Sequence, residues 1–98
     1  MSATVTEITQ KNQIALEDVK LIVPHQANQR ILSAVAERLN LTSDKIISTV
    51  NIHANTSAAS IPLALKKALG NNMVSRGDYM IFEALGAGLT WGSMLIKY

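Results

Sequence analysis

Apolar residues follow two rhythms along this chain, one continuous and one returning at helical steps. "VKLIVP", Val19 to Pro24, is a short β-branched run without a polar break after Lys20, the pattern of a strand covered on both faces. Its proline ends it. In "NQRILSAVAERLN" the apolar positions Ile31, Leu32, Val35, Ala36 and Leu39 share one side, with Gln29, Arg30, Glu37 and Arg38 mostly elsewhere. That spacing predicts an amphipathic surface helix. Upstream, Val5, Ile8 and Ile14 recur loosely within residues 3–14 and predict a weaker helix.

After a turn at "LTSD", "KIISTVNI" is again β-rich, and "NTSAASIPLALKKALGNN" reads as a further helix closed near Gly70. "DYMIFEAL" and "LTWGSMLIKY" read as antiparallel strands joined by a tight turn at "GAG". The order is α-β-α-β-α-β-β. Strands alternating with helices imply an α/β fold with a mainly parallel, four-stranded sheet and an antiparallel final pair. No internal repeat, low-complexity tract or linker divides the chain, so residues 1–98 are expected to form one domain.

The helix around residues 58–69 is apolar on every side: Ala58, Ala59, Ile61, Leu63, Ala64, Leu65, Ala68 and Leu69 surround its axis, leaving Lys66 and Lys67 as its strong charges. A sheet of this size covers one face of such a helix. Something outside the 98 residues is expected to cover the other.

Composition agrees with that expectation. The chain is 48% hydrophobic and 16% charged, with mean hydropathy +0.18, more apolar side chain than the surface of so small a domain tolerates. Nine basic against seven acidic residues, a net charge of +2 and 4% aromatics argue against a nucleic-acid partner. No apolar run has the length of a membrane span, and "MSATVTEITQ" lacks the basic start and apolar middle of a signal peptide. A cytoplasmic protein without a membrane partner is expected. The chain has no cysteine, which excludes disulfides, cysteine-ligated metal and a cysteine nucleophile within it.

In open parallel sheets, chemistry gathers beyond the carboxyl ends of the strands. His25 stands there after the first predicted strand and Asn55 after the second, so adjacent strands would bring their loops together. Each precedes a helix, whose N-terminal dipole favours neutral His25. A neutral imidazole and a carboxamide both donate hydrogen bonds, a set suited to a developing oxyanion or enolate. They suit metal poorly, since no third His, Asp or Glu stands at usable spacing. Ordinary structural roles compete with each of these. Asn55-Thr56-Ser57 is a helix-capping cluster, His25 after a proline is a turn residue as readily as a catalytic one, and His53 reads as a loop residue. Trp91 is expected in the core, Arg30 on a solvated helix face, and "GAG" is first a turn and second a set of anion-facing N–H groups.

"PHQANQRI", "NTSAASIPLAL" and "EALGAGLTWGSMLIKY", in this order and at these separations, resemble the C-terminal part of 3-oxoacyl-[acyl-carrier-protein] synthase III, the initiating condensing enzyme of bacterial fatty-acid synthesis. The resemblance runs from about Val5 to Tyr98. It implies the C-terminal half of a thiolase-like fold, in which a buried helix from each half lies between two sheets. It also implies a Cys-His-Asn triad whose cysteine, in the N-terminal half, takes the acyl group from acyl-CoA, acetyl-CoA above all. Malonyl-carrier protein then decarboxylates and attacks the thioester.

On that resemblance the motif histidine and asparagine match His25 and Asn55, which would hold the malonyl thioester oxygen as the enolate forms. Gln26, Ala27, Asn28, Gln29 and Arg30 match the contact with acyl carrier protein, Arg30 meeting its acidic surface. Gly86, Ala87 and Gly88 match the backbone lining the oxyanion hole. No cofactor or metal is implied, acyl-CoA and malonyl-carrier protein being substrates, and the complete family enzyme is a homodimer. Leu85 stands where phenylalanine is usual, Ala87 replaces a frequent glycine, and "NIHAN" replaces the commoner Asp-Arg-Tyr-Gly-Asn.

The leading expectation is therefore the His-Asn part of an initiating ketoacyl synthase, inactive by itself without the nucleophile. It would work with a cysteine-bearing N-terminal half, if that half is encoded separately. A catalytically inactive remnant or carrier-protein binding module is the alternative.

Overall fold

A computed structural model describes all 98 residues, Met1–Tyr98. The apolar run at 19–24 forms β1 (Val19–Pro24), and it lies parallel to β2 (Tyr79–Gly86), which pairs antiparallel with β3 (Thr90–Lys97). The sheet order is β1-β2-β3. A register shift between Val19 and Leu21 turns Val19 away from the face that simple alternation would have it share with Leu21. Past the shift, Leu21 and Val23 point to one core and Ile22 joins Val19 in the other.

Helix α1 (Ser2–Lys11) covers one face, where Val5 packs with Val19, Ile22 and Ile81, and Ile8 adds to the cluster. Helix α2 (Gln29–Arg38) flanks the same layer. It starts where Asn28 Oδ1 accepts the Ile31 N–H at 3.0 Å, a side-chain cap, and it buries Leu32 and Val35 as its spacing requires. A four-residue turn of helix, α3 (Val50–His53), leads to a 3₁₀ turn at Ser57–Ala59 and then to α4 (Ser60–Gly70) on the opposite face. There Ala64 and Ala68 are fully buried against Leu21, Val23, Val74 and Met80. Small side chains let α4 lie close to the sheet.

The predicted α/β class and the antiparallel final pair are present, but the strand expected from "KIISTVNI" is not. That segment makes one parallel bridge, Ile46 to Ile22, and then turns away into α3. Gln26 explains the departure. Its carboxamide donates to the carbonyls of Pro24 and Ile47 at 2.8 and 3.2 Å and accepts the Thr49 N–H at 2.7 Å. A side-chain amide carries the same donor and acceptor as a peptide group, so it supplies the hydrogen bonds a neighbouring strand would have made.

Trp91 is also misplaced by the sequence reading. It lies opposite Leu85 at the turn end of the hairpin, beside α1 and 59% exposed, where no element of the chain reaches over it. Leu89 and Met94 are similarly open, at 74% and 58%. On α4, Leu69 is exposed and Ile61, Leu63 and Leu65 are half-buried. The all-round apolar helix is thus covered by this chain on its sheet side.

Candidate active site

β1 and β2 run parallel, so their carboxyl ends open on the same edge. His25 follows β1, and its N–H donates to the carbonyl of Glu83 in β2 at 2.7 Å. One backbone bond therefore ties the histidine to the strand that carries the glycine turn. Beyond it lies an apolar groove of about 650 Å³, into which His25, Ser57, Ile61, Leu85, Gly86 and Ala87 all face. Gly88, at φ +123°, closes the turn between β2 and β3 in a conformation that favours glycine.

His25 is half-buried and its Nδ1 lies 2.8 Å from Ser60 Oγ. Ser60, the first residue of α4, is 1% exposed, and its hydroxyl oxygen also accepts the Gln26 N–H at 3.2 Å. The contact holds the ring by one nitrogen and leaves the other for the groove. Sequence reasoning passed over Ser60, because it fell inside the helix predicted from "NTSAAS" onward, past the Asn55-Thr56-Ser57 capping cluster; nothing local marked it as the partner of a histidine 35 positions away.

Asn55 is placed differently. It is exposed, outside the residues lining the groove, and its Oδ1 accepts the Ser57 N–H at 2.9 Å. Neither the Ser57–Ala59 turn nor α4 carries a side-chain cap, so Asn55 makes a local turn contact and not the expected helix cap; that contact engages the carboxamide oxygen and leaves the N–H2 group to donate. Ala54, just before it, has φ 56° and ψ −155°, a region in which side chains other than glycine are strained. Ser57 follows at φ 54°. Asn55 is therefore held between two left-handed backbone positions.

Of the residues assigned to a partner surface, Gln26 is fully buried and engaged by its internal hydrogen bonds, so its side chain is not a surface contact. Ala27 lines the groove with His25. Asn28, Gln29 and Arg30 are exposed, and with Ile31 and Ala34 they border a shallow depression on α2. His53 ends α3, its Nδ1 buried without a hydrogen-bond partner.

Glu83 is the unexpected charge. It is 1% exposed, and burial pushes its carboxyl above the usual carboxylate range, with the Thr4 hydroxyl opposing that shift. Thr4 Oγ1 lies 3.0 Å from Glu83 Oε1 and 2.6 Å from the Met1 carbonyl. A hydroxyl has one proton, so Thr4 donates to only one of these two oxygens at a time, and Glu83 Oε2 is buried without a hydrogen-bond partner. No group of three or more His, Cys, Asp or Glu side chains is placed to hold a metal ion, and no helix is long and apolar enough to cross a membrane.

A parallel pair continued by an antiparallel hairpin, helices on both faces, and a groove at the strand ends bounded by a histidine and a glycine turn define the C-terminal portion of a thiolase-like fold. Residues 9–98 match the family described as 3-oxoacyl-[acyl-carrier-protein (ACP)] synthase III C terminal, and the chain belongs to that family. It is 49% identical over its full 98 residues to beta-ketoacyl-[acyl-carrier-protein] synthase III of Rickettsia canadensis, of which it covers 31%. The crystal structure of 3-oxoacyl-[acyl-carrier-protein] synthase III from Aquifex aeolicus superposes with TM-score 0.96 at 44% identity, over all of this chain and 32% of that one. The Thermus thermophilus synthase III structure gives 0.97 at 41%, over all of this chain and 30% of that one. The chain thus spans about a third of the length of the relatives it matches.

Proposed function

We propose that this chain supplies the enolate-stabilising half of an initiating ketoacyl synthase, which condenses an acyl-CoA with malonyl-[acyl-carrier-protein] in fatty-acid synthesis. The observation that carries this reading is the shared groove: His25, anchored through Nδ1, faces the same space as the Gly86-Ala87 backbone. Under this reading His25 Nε2, from within the groove, and the Asn55 carboxamide nitrogen, from outside the residues that line it, donate to the thioester oxygen of the malonyl group. As the carboxylate leaves as carbon dioxide, its bonding electrons pass into the enolate, and the two donors hold the growing charge on oxygen. Neutral donors aimed at charge that exists only in the transition state lower the barrier, where a donor for the ground state alone would not.

The attacking carbon then meets an acyl thioester on a cysteine that these 98 residues do not contain. That group comes from protein outside them, on the same polypeptide or another. The exposed apolar side of α4, with Ile61 bordering the groove, is the surface against which such a half would seat. Asn28, Gln29 and Arg30 offer a polar, basic approach for an acidic carrier protein.

The test is to incubate the 98-residue chain with labelled acetyl-CoA, and then with a separately expressed cysteine-bearing half of a family member plus malonyl-carrier protein. No covalent label is expected on this chain, and condensation is expected in the mixture. Label on the chain alone, or a mixture that binds carrier protein without condensing, would overturn the reading, the second result in favour of a binding module.

A further inference from the structure

We propose that Ser60 is a positioning residue that sets the tautomer of His25, so that the imidazole presents an N–H and not a bare nitrogen to the groove. The inference comes from counting protons in a buried triangle. Ser60 Oγ meets two groups, the Gln26 N–H at 3.2 Å and His25 Nδ1 at 2.8 Å. A backbone N–H can only donate, so the first contact uses a lone pair of the hydroxyl. The second is open in principle, because an imidazole nitrogen is either donor or acceptor.

Burial decides it. Ser60 is 1% exposed, and its hydroxyl makes no hydrogen bond to the carbonyl one turn back, as Thr9 does in α1. If Nδ1 carried the proton, the serine would receive two donors and its own proton would point at nothing in a dry site. If Ser60 donates to Nδ1, every group in the triangle is satisfied. The neutral ring then carries its proton on Nε2. The Gln26 amide strengthens the arrangement, since a hydroxyl that accepts one hydrogen bond donates a stronger one.

The consequence for chemistry rests on the condensing role of His25 proposed above, but the tautomer does not. An Nε2–H tautomer is already a donor when the malonyl group arrives, with no proton transfer needed first. The other tautomer would turn a lone pair toward the thioester oxygen and repel it.

The test is long-range proton–nitrogen NMR on the ¹⁵N-labelled 98-residue chain, about two pH units above the ordinary histidine value. It reads which nitrogen of assigned His25 is protonated. In the unaltered chain the Nε2–H form is expected to dominate. Ser60→Ala should raise the Nδ1–H to Nε2–H ratio by about tenfold or more, and Ser60→Thr, which keeps a hydroxyl, should restore it. A dominant Nδ1–H form, or a ratio unmoved by Ser60→Ala, would overturn the proposal. Combined with the cysteine-bearing half, Ser60→Ala should lower kcat about tenfold at unchanged KM. A tautomer that responds while the mixture never condenses would sink the condensing reading and leave Ser60 in place; condensation with an unresponsive tautomer would do the reverse.

Discussion

Gln26 stands one residue after His25, and its carboxamide accepts the Thr49 N–H at 2.7 Å, so the end of β1 is fastened to the segment that leads to Asn55. The two loops of the site are held by one buried side chain. Gln26→Leu would keep the volume and leave the Thr49 N–H and the Ile47 carbonyl unpaired in the interior. A loss of about 2–4 kcal/mol is expected, read as a lower urea midpoint for the chain. A midpoint within error of the unaltered protein would show that the loop is held elsewhere.

Ala54→Gly should act in the opposite direction. The backbone at φ 56° and ψ −155° is costly for alanine and easy for glycine, the residue of the commoner family motif. Glycine also enlarges the entropy of the unfolded chain, which offsets part of the gain. A net stabilisation of about 1 kcal/mol is expected by denaturant titration.

Glu83 makes stability depend on pH. Its carboxyl in the fold is raised above the ordinary 4.5 by burial, so between 4.5 and its folded value the native chain holds a proton that the unfolded chain has lost. Its contribution is complete below 4.5 and is lost as pH rises through the folded value. Glu83→Gln should flatten the stability curve over that window and raise the midpoint at neutral pH. A parallel shift of the whole curve would assign the effect to packing instead.

Arg30→Glu should leave folding unchanged, because the side chain is exposed and forms no ion pair. Carrier-protein affinity for the combined halves is expected to fall about tenfold at low salt, with the difference shrinking as salt is added. Calorimetric titration at two ionic strengths reads both effects.

How far the sequence could be read varies with the range of the forces involved. β1, α2, α4 and the β2–β3 hairpin were legible because their apolar spacing and glycine turn are local signals. The lost strand at 45–52 was not. Its β-branched residues promised a strand, and Gln26, about 20 positions earlier, took the hydrogen bonds a strand needs. Trp91 followed its composition into an expected core, but it lies at a hairpin end where only other protein could cover it. In the site, His25 and the glycine turn were visible as residues at strand ends. Ser60 and the strain at Ala54 depend on which loops meet, and residue types do not record that.

The central claim is that His25 is a donor to the enolate in a condensation whose nucleophile lies outside these residues. The most direct measurement is the rate of carbon dioxide release from malonyl-carrier protein by the chain combined with a cysteine-bearing half, compared between the unaltered chain and His25→Ala. Loss of one preorganised donor should slow release about 100- to 1,000-fold, while the half-site cysteine still accepts labelled acetyl from acetyl-CoA. A His25→Ala mixture that releases carbon dioxide as fast as the unaltered one would contradict the claim.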